Sequence, residues 1–220
     1  MITAENLAEI ESEGRRLLEA ARRDPNRAVP QYPSWTLADL VAHTASVHAL
    51  AALVCRDLPT ERVSRPRLPP GKDALDWFEQ NHADLLEVLR RADPKSPCWG
   101  FGPGSNVNRW KDRIVVETGV HRWDAHQALG ERGDLTEMVA RSGLEEFAGM
   151  WFPMLPDVQT LHVTAMDLGQ DFVFGDGVPA VFIKGTASDI YLSLMSRPSA
   201  VVLPGDWAKA LEALPPPPAG

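Results

Sequence analysis

The hydrophobic pattern of this chain changes period once, near residue 155, and that change narrows the folds open to it. Before it, apolar residues recur every three or four positions, as on amphipathic helices. Beyond it, β-branched and aromatic residues alternate between Gly, Asp and Pro turn signals. Helices first and strands second read as α+β. We expect a four-helix bundle within 1–152 and a small α/β domain over 153–220.

Leu7, Ile10, Leu17, Leu18 and Ala21 share one face and predict a first helix over 3–23, stopped by Asp24-Pro25. Residues 29–33 are extended, because a residue before proline avoids the helical region. Ser34 reads as the N-cap of a second helix, 35–56. A Pro-rich loop, 58–71, leads to a third helix over 73–92. Asn106 or Asn108 caps a fourth, which Gly130 closes, and a fifth covers 135–151. Strands are expected at 161–165, 171–174, 180–183 and 200–203, helices at 187–195 and 206–214, and a frayed tail at the C-terminus.

The 220 residues are 44% hydrophobic and 24% charged, an ordinary soluble composition with room for a real core. A net charge of −8 argues against broad contact with nucleic acid. We read no apolar run of membrane-spanning length and no signal pattern, which suggests a cytoplasmic protein that does not enter membranes. The two cysteines, Cys55 and Cys98, lack metal-type spacing and read as buried free thiols.

The fourth helix carries the chemistry. Trp110, Ile114, Glu117, His121, Ala125 and Ala128 advance by 4, 3, 4, 4 and 3 and share one face. Trp, Ile and Ala turn that face to the core, so Glu117 and His121 point inward one turn apart. A buried carboxylate costs several kcal/mol unless it is paired or bound to a metal. His43, at the edge of the Leu40–Val47 stripe of the second helix, also reaches the interior. His, Glu and His suit zinc with a fourth position left to water or substrate, or another divalent metal. Spacing alone leaves a metal-free Glu117–His121 ion pair equally open.

Two stretches carry a resemblance. Residues 29–43, with Pro33, Trp35, Asp39, Leu40 and His43, resemble a first signature of the mycothiol-dependent maleylpyruvate isomerase family. Residues 116–125, with Glu117, His121, Arg122, Trp123, Asp124 and Ala125, resemble its second. The N-terminal region is similar to the DinB superfamily of four-helix metal proteins. Residues 161–167 and 185–192 resemble the family's sterol-carrier-protein-like second domain. The resemblance implies that His43, Glu117 and His121 hold the metal and that mycothiol is the cosubstrate. It implies isomerisation of, or S-transfer to, a small electrophile. It also implies that Arg197 acts in catalysis, although Met195-Ser196 replaces the family's Trp-Gly before it.

Around this core, Asp124 is a candidate to orient a ligand histidine, or a packing carboxylate. His48 and His126, five residues past His43 and His121, are rotated away from the ligand face. His82 reads as a satisfied core histidine. Trp99, Phe101, Gly102 and Gly104 either line a pocket mouth or form a plain loop. Asn106, Asn108 and Arg109 either bond a sugar-like cosubstrate or serve the helix start. The rival functions are a metal-dependent hydrolase and a non-catalytic binding protein on the same fold. A monomer or homodimer is expected.

Overall fold

The computed structural model describes residues 3–100, 104–155 and 158–214. The expected tail at 215–220, and Phe101 and Gly102 of the expected loop, lie outside the described residues. The rest falls into two compact units, divided between Gly133 and Asp134.

In the first unit α1 (Ala4–Arg23) starts at Thr3, which exchanges capping hydrogen bonds with Asn6. The next segment is more ordered than its prolines suggested. β1 (Ala28–Val29) and β2 (Tyr32–Thr36) pair antiparallel, Val29 opposite Tyr32, across the turn at Pro30 and Gln31. Ser34 therefore sits in a strand, and α2 (Leu37–Asp57) is capped by Thr36 instead. The cap is a Thr-x-x-Asp box: Thr36 Oγ1 accepts from Asp39 N, and Asp39 Oδ2 accepts from Thr36 N. Asp73 caps α3 (Ala74–Arg91) and Asn106 caps α4 (Val107–Ala128).

Neighbours around the bundle run α1, α3, α2, α4 and back to α1. α2 is long and apolar enough to cross a bilayer, contrary to the reading above. However, 78% of its apolar stretch is buried inside the protein, as befits a core helix. Charge enters the core in pairs. Glu13 of α1 accepts from Arg122 Nε of α4 at 2.7 Å and from Arg16 at 2.8 Å. Cys55 and Cys98 are buried and free, and burial pushes the Cys55 thiol up to about 12.

The second unit begins with α5 (Glu137–Glu146), which continues as a π-helical turn (Phe147–Trp151) and a 3₁₀ turn (Phe152–Met154). The expected fifth helix is thus one α-helix with a loosened end. β3 (Leu161–Ala165) is central, antiparallel to β4 (Gln170–Phe174) and parallel to β5 (Val181–Gly185). α6 (Ala187–Leu194) and α7 (Gly205–Glu212) complete the unit. Leu161, Val163, Ala165 and Phe174 bury one sheet face in a core that includes Phe147, Ile190, Tyr191 and Trp207.

The contact-based division falls earlier than the 152/153 break read from the pattern. A change of period marks a change of secondary structure, not of packing partner. α5 is helical but packs on α6, where a Cβ on Gly143 would lie 2.6 Å from the Tyr191 ring. Residues 200–203 are not a strand. Two of their donors are taken by side chains: Ala200 N donates to Asp189 Oδ1 at 3.0 Å and Val201 N to Ser199 Oγ at 3.1 Å.

Candidate metal centre

Each residue of the site is placed by a helix that has other reasons to be there. The α2 stripe puts Leu40, Val41 and Val47 in the core and carries His43 with them. On α4, Trp110, Ile114 and Ala125 do the same for Glu117 and His121. Offered one atom each, the His43, Glu117 and His121 side chains converge within 4.8 Å of one another, all buried. His43 Nε2 is 3.0 Å and His121 Nε2 3.2 Å from the same carboxylate oxygen, Glu117 Oε1.

The surroundings orient the trio. His121 Nδ1 lies 3.1 Å from Oδ2 of the fully buried Asp124. A carboxylate only accepts, so Nδ1 carries a proton and donates, and Nε2 is turned to Glu117. Arg113, one helical turn before Glu117, donates to Glu117 Oε2. Arg65, from the Pro-rich loop, brings a guanidinium nitrogen to 3.5 Å from His43 Nδ1. The β1–β2 hairpin supplies an aromatic wall. The Trp35 ring lies 5.0 Å from the His43 ring, and the Tyr32 ring 6.0 Å from the His121 ring.

The protonation states follow. Burial alone would raise the Glu117 carboxyl, but Arg113 and the two histidines hold it well below the usual range. Burial depresses His43, only partly offset by Glu117. His121 goes the other way: burial would lower it, yet Glu117 and Asp124 together raise it. One imidazole between two carboxylates calls for a positive charge on that axis. The raised His121 leans toward that charge, and a divalent cation fits the same donor set of two imidazole nitrogens and one carboxylate.

Residues 7–126 match the family model of the mycothiol maleylpyruvate isomerase N-terminal domain, more than half of the chain. The chain belongs to that family. Among solved structures it is similar to the mycothiol-dependent maleylpyruvate isomerase, with a TM-score of 0.65 at 15% identity over 97% of this chain and 95% of that one. It is also similar to a histidine-to-alanine mutant of that enzyme, at 0.63 and 14% over 86% of each chain. At such identities the likeness is one of fold. No curated protein matches the sequence.

In this member of the mycothiol maleylpyruvate isomerase N-terminal domain family, the other named residues fall as follows. His48 Nε2 lies 2.9 Å from Thr118 Oγ1, and His126 Nδ1 lies 2.6 Å from Glu131. Asn106 caps α4, while Asn108 donates to Asp112 at 3.0 Å. Trp99 packs on the start of α4, its carbonyl accepting from Trp110 Nε1 at 2.7 Å. Gly104 has a positive φ of 70°. Arg197, in the second unit, is buried beyond the left-handed Ser196, and its Nη1 donates to Met195 O at 3.0 Å.

His82 departs from expectation. It stacks on Phe78 and His48, but neither ring nitrogen makes a well-formed hydrogen bond among the described residues. Sequence reasoning missed Arg113, Arg65 and Tyr32. Arg113 was visible as the i−4 neighbour of Glu117. Arg65 sits in an aperiodic loop, and nothing in its spacing ties it to His43.

Proposed function

We propose that this protein is a metal-dependent enzyme that activates a low-molecular-weight thiol, mycothiol, for isomerisation of, or transfer to, a small electrophile. One observation carries the reading: two histidines and a carboxylate, buried on two facing helices, bring three donor atoms within 4.8 Å. Membership of a family named for mycothiol supports the choice of thiol.

His43 Nε2, Glu117 Oε1 and His121 Nε2 would hold the cation, zinc being the first candidate for this donor set. When bound, such a cation acidifies a thiol, and the thiolate is the nucleophile. Asp124 keeps the His121 proton on Nδ1, so that Nε2 presents its lone pair to the centre. Arg113 fixes the second oxygen of Glu117. Trp35 and Tyr32 exclude water from one side of the imidazoles, which strengthens every charge interaction there. Arg197 is proposed to meet a substrate carboxylate, which its planar fork suits.

The test is elemental analysis of the protein purified without added metal, beside His121→Ala. About one zinc per chain, lost in the variant, supports the centre. Turnover of an electrophile that requires both metal and mycothiol then supports the reaction. Metal-dependent turnover without a thiol favours a hydrolase, and absence of metal even after incubation with zinc favours a binding protein.

A further inference from the structure

The second unit has a sheet face that no element of the unit covers among the described residues. β3 presents His162 and Thr164 there, β4 presents Asp171 and Val173, and β5 presents Phe182 and Lys184. The strand register sorts these six into two rows. His162 pairs with Val173 on one side and Phe182 on the other. Thr164 pairs with Asp171 on one side and Lys184 on the other. The first row sets two open apolar side chains, Phe182 67% and Val173 49% exposed, on either side of His162, whose ring lies 5.5 Å from that of Phe182 and whose Nε2 is 3.9 Å from Asp171 Oδ2. The second row ends in opposite charges on opposite edges of the sheet. The reverse face is the core, sealed by Leu161, Val163, Ala165 and Phe174.

We propose that this face is a self-complementary surface on which a second copy of the chain docks. The occupant follows from the charge pattern. Consider two such faces stacked about a two-fold axis parallel to the strands, the aligned packing of sheets. The axis exchanges the edge strands and preserves the rows. Asp171 of each copy then stands over Lys184 of the other, twice, and Val173 stands over Phe182, also twice. The two His162 rings meet at the axis. An axis across the strands would instead set the first row on the second. Such self-complementarity is what a closed two-fold interface requires. Three strands about 4.8 Å apart and five residues long cover only a few hundred Å², below the area of permanent dimers. The association is therefore weak and reversible, with a dissociation constant on the order of 100 µM.

Sedimentation equilibrium of the full chain, from about 5 µM to about 1 mM, reads this directly. Wild type should move from monomer to dimer mass across that range. Lys184→Asp sets carboxylate over carboxylate at both pairs, and Asp171→Lys sets ammonium over ammonium. Each should weaken association by about tenfold or more, since like charges face each other. The double reversal Asp171→Lys with Lys184→Asp restores opposite pairing and should recover the dimer. Phe182→Ser should abolish it. All three positions are exposed, and thermal melting checks that each variant folds. A monomer at every concentration overturns the proposal and leaves the face to a partner of other chemistry. A dimer insensitive to the single reversals, or a double reversal that fails to recover, overturns it equally.

Discussion

α2 carries two buried histidines five residues apart, and they live in opposite worlds. His43 is ringed by groups that want its nitrogens: Glu117, Arg65 and the neighbouring His121. His48 has one bond, to Thr118, whose own hydroxyl donates to Ile114 O, so Nε2 of His48 must be the donor. Its Nδ1 has no hydrogen bond among the described residues, and its ring stacks on His82, 5.2 Å away. Burial depresses His48 far below the ordinary histidine range, and His82 to about 4. Burial acts on His121 as well, yet Glu117 and Asp124 reverse it. His121, held between two carboxylates, is thus pushed toward the charged form, while His43, with one, stays depressed by burial.

The largest break in this contrast comes from removing the carboxylate. Glu117→Ala strands Arg113 and two imidazoles without their acceptor. We expect a loss of about 3–5 kcal/mol, as for a broken buried pair, in urea unfolding of the metal-free chain. An unchanged midpoint would mean that the charges there are already solvated.

Next is the orienting group. Asp124→Asn should keep the fold but weaken metal binding by about 10–100-fold, read by competition with a chelator. Equal affinity in the variant would reduce Asp124 to packing.

The neutral pair makes a pH prediction. For His82 the folded value, about 4, lies below the unfolded 6.5. Between these pH values the unfolded chain binds more protons, so stability rises with pH through the window. It is fully present above about 6.5 and lost as pH falls toward 4, by on the order of 3 kcal/mol. In His82→Phe the unfolding free energy should flatten over that interval; an unaltered slope would assign the dependence to other groups.

The smallest effect tests how tightly that pair is packed. A Cβ on Gly14 would lie 2.3 Å from the His82 ring. Gly14→Ala should therefore destabilise by about 1 kcal/mol despite the better helix former. With His82→Ala in place the same change should stabilise, which a double-mutant cycle measures.

What the sequence made legible was whatever repeats. The stripe on α4 named Glu117 and His121 because helical spacing is rigid, and the cap of α4 was narrowed to Asn106 or Asn108, of which the structure uses Asn106. The hairpin before α2 was missed because its two-residue first strand carries no period, and a proline at each end of the turn reads only as extended chain. The break between units was read too late, because α5 looks like its predecessors until its partner, Tyr191 on α6, is known. His82 was taken as satisfied, since no pattern in a sequence records how well a buried ring meets its acceptor.

The hairpin has one more consequence. Trp35 lies 5.0 Å from His43, buried against Tyr32 at 4.5 Å. An indole so close to an imidazole is a built-in optical reporter. Any change in the charge on that ring alters the light Trp35 emits. The difference between the native chain and Trp35→Phe isolates that signal from the other six tryptophans. Occupancy of the centre can thus be followed in solution without a label and without knowing the substrate.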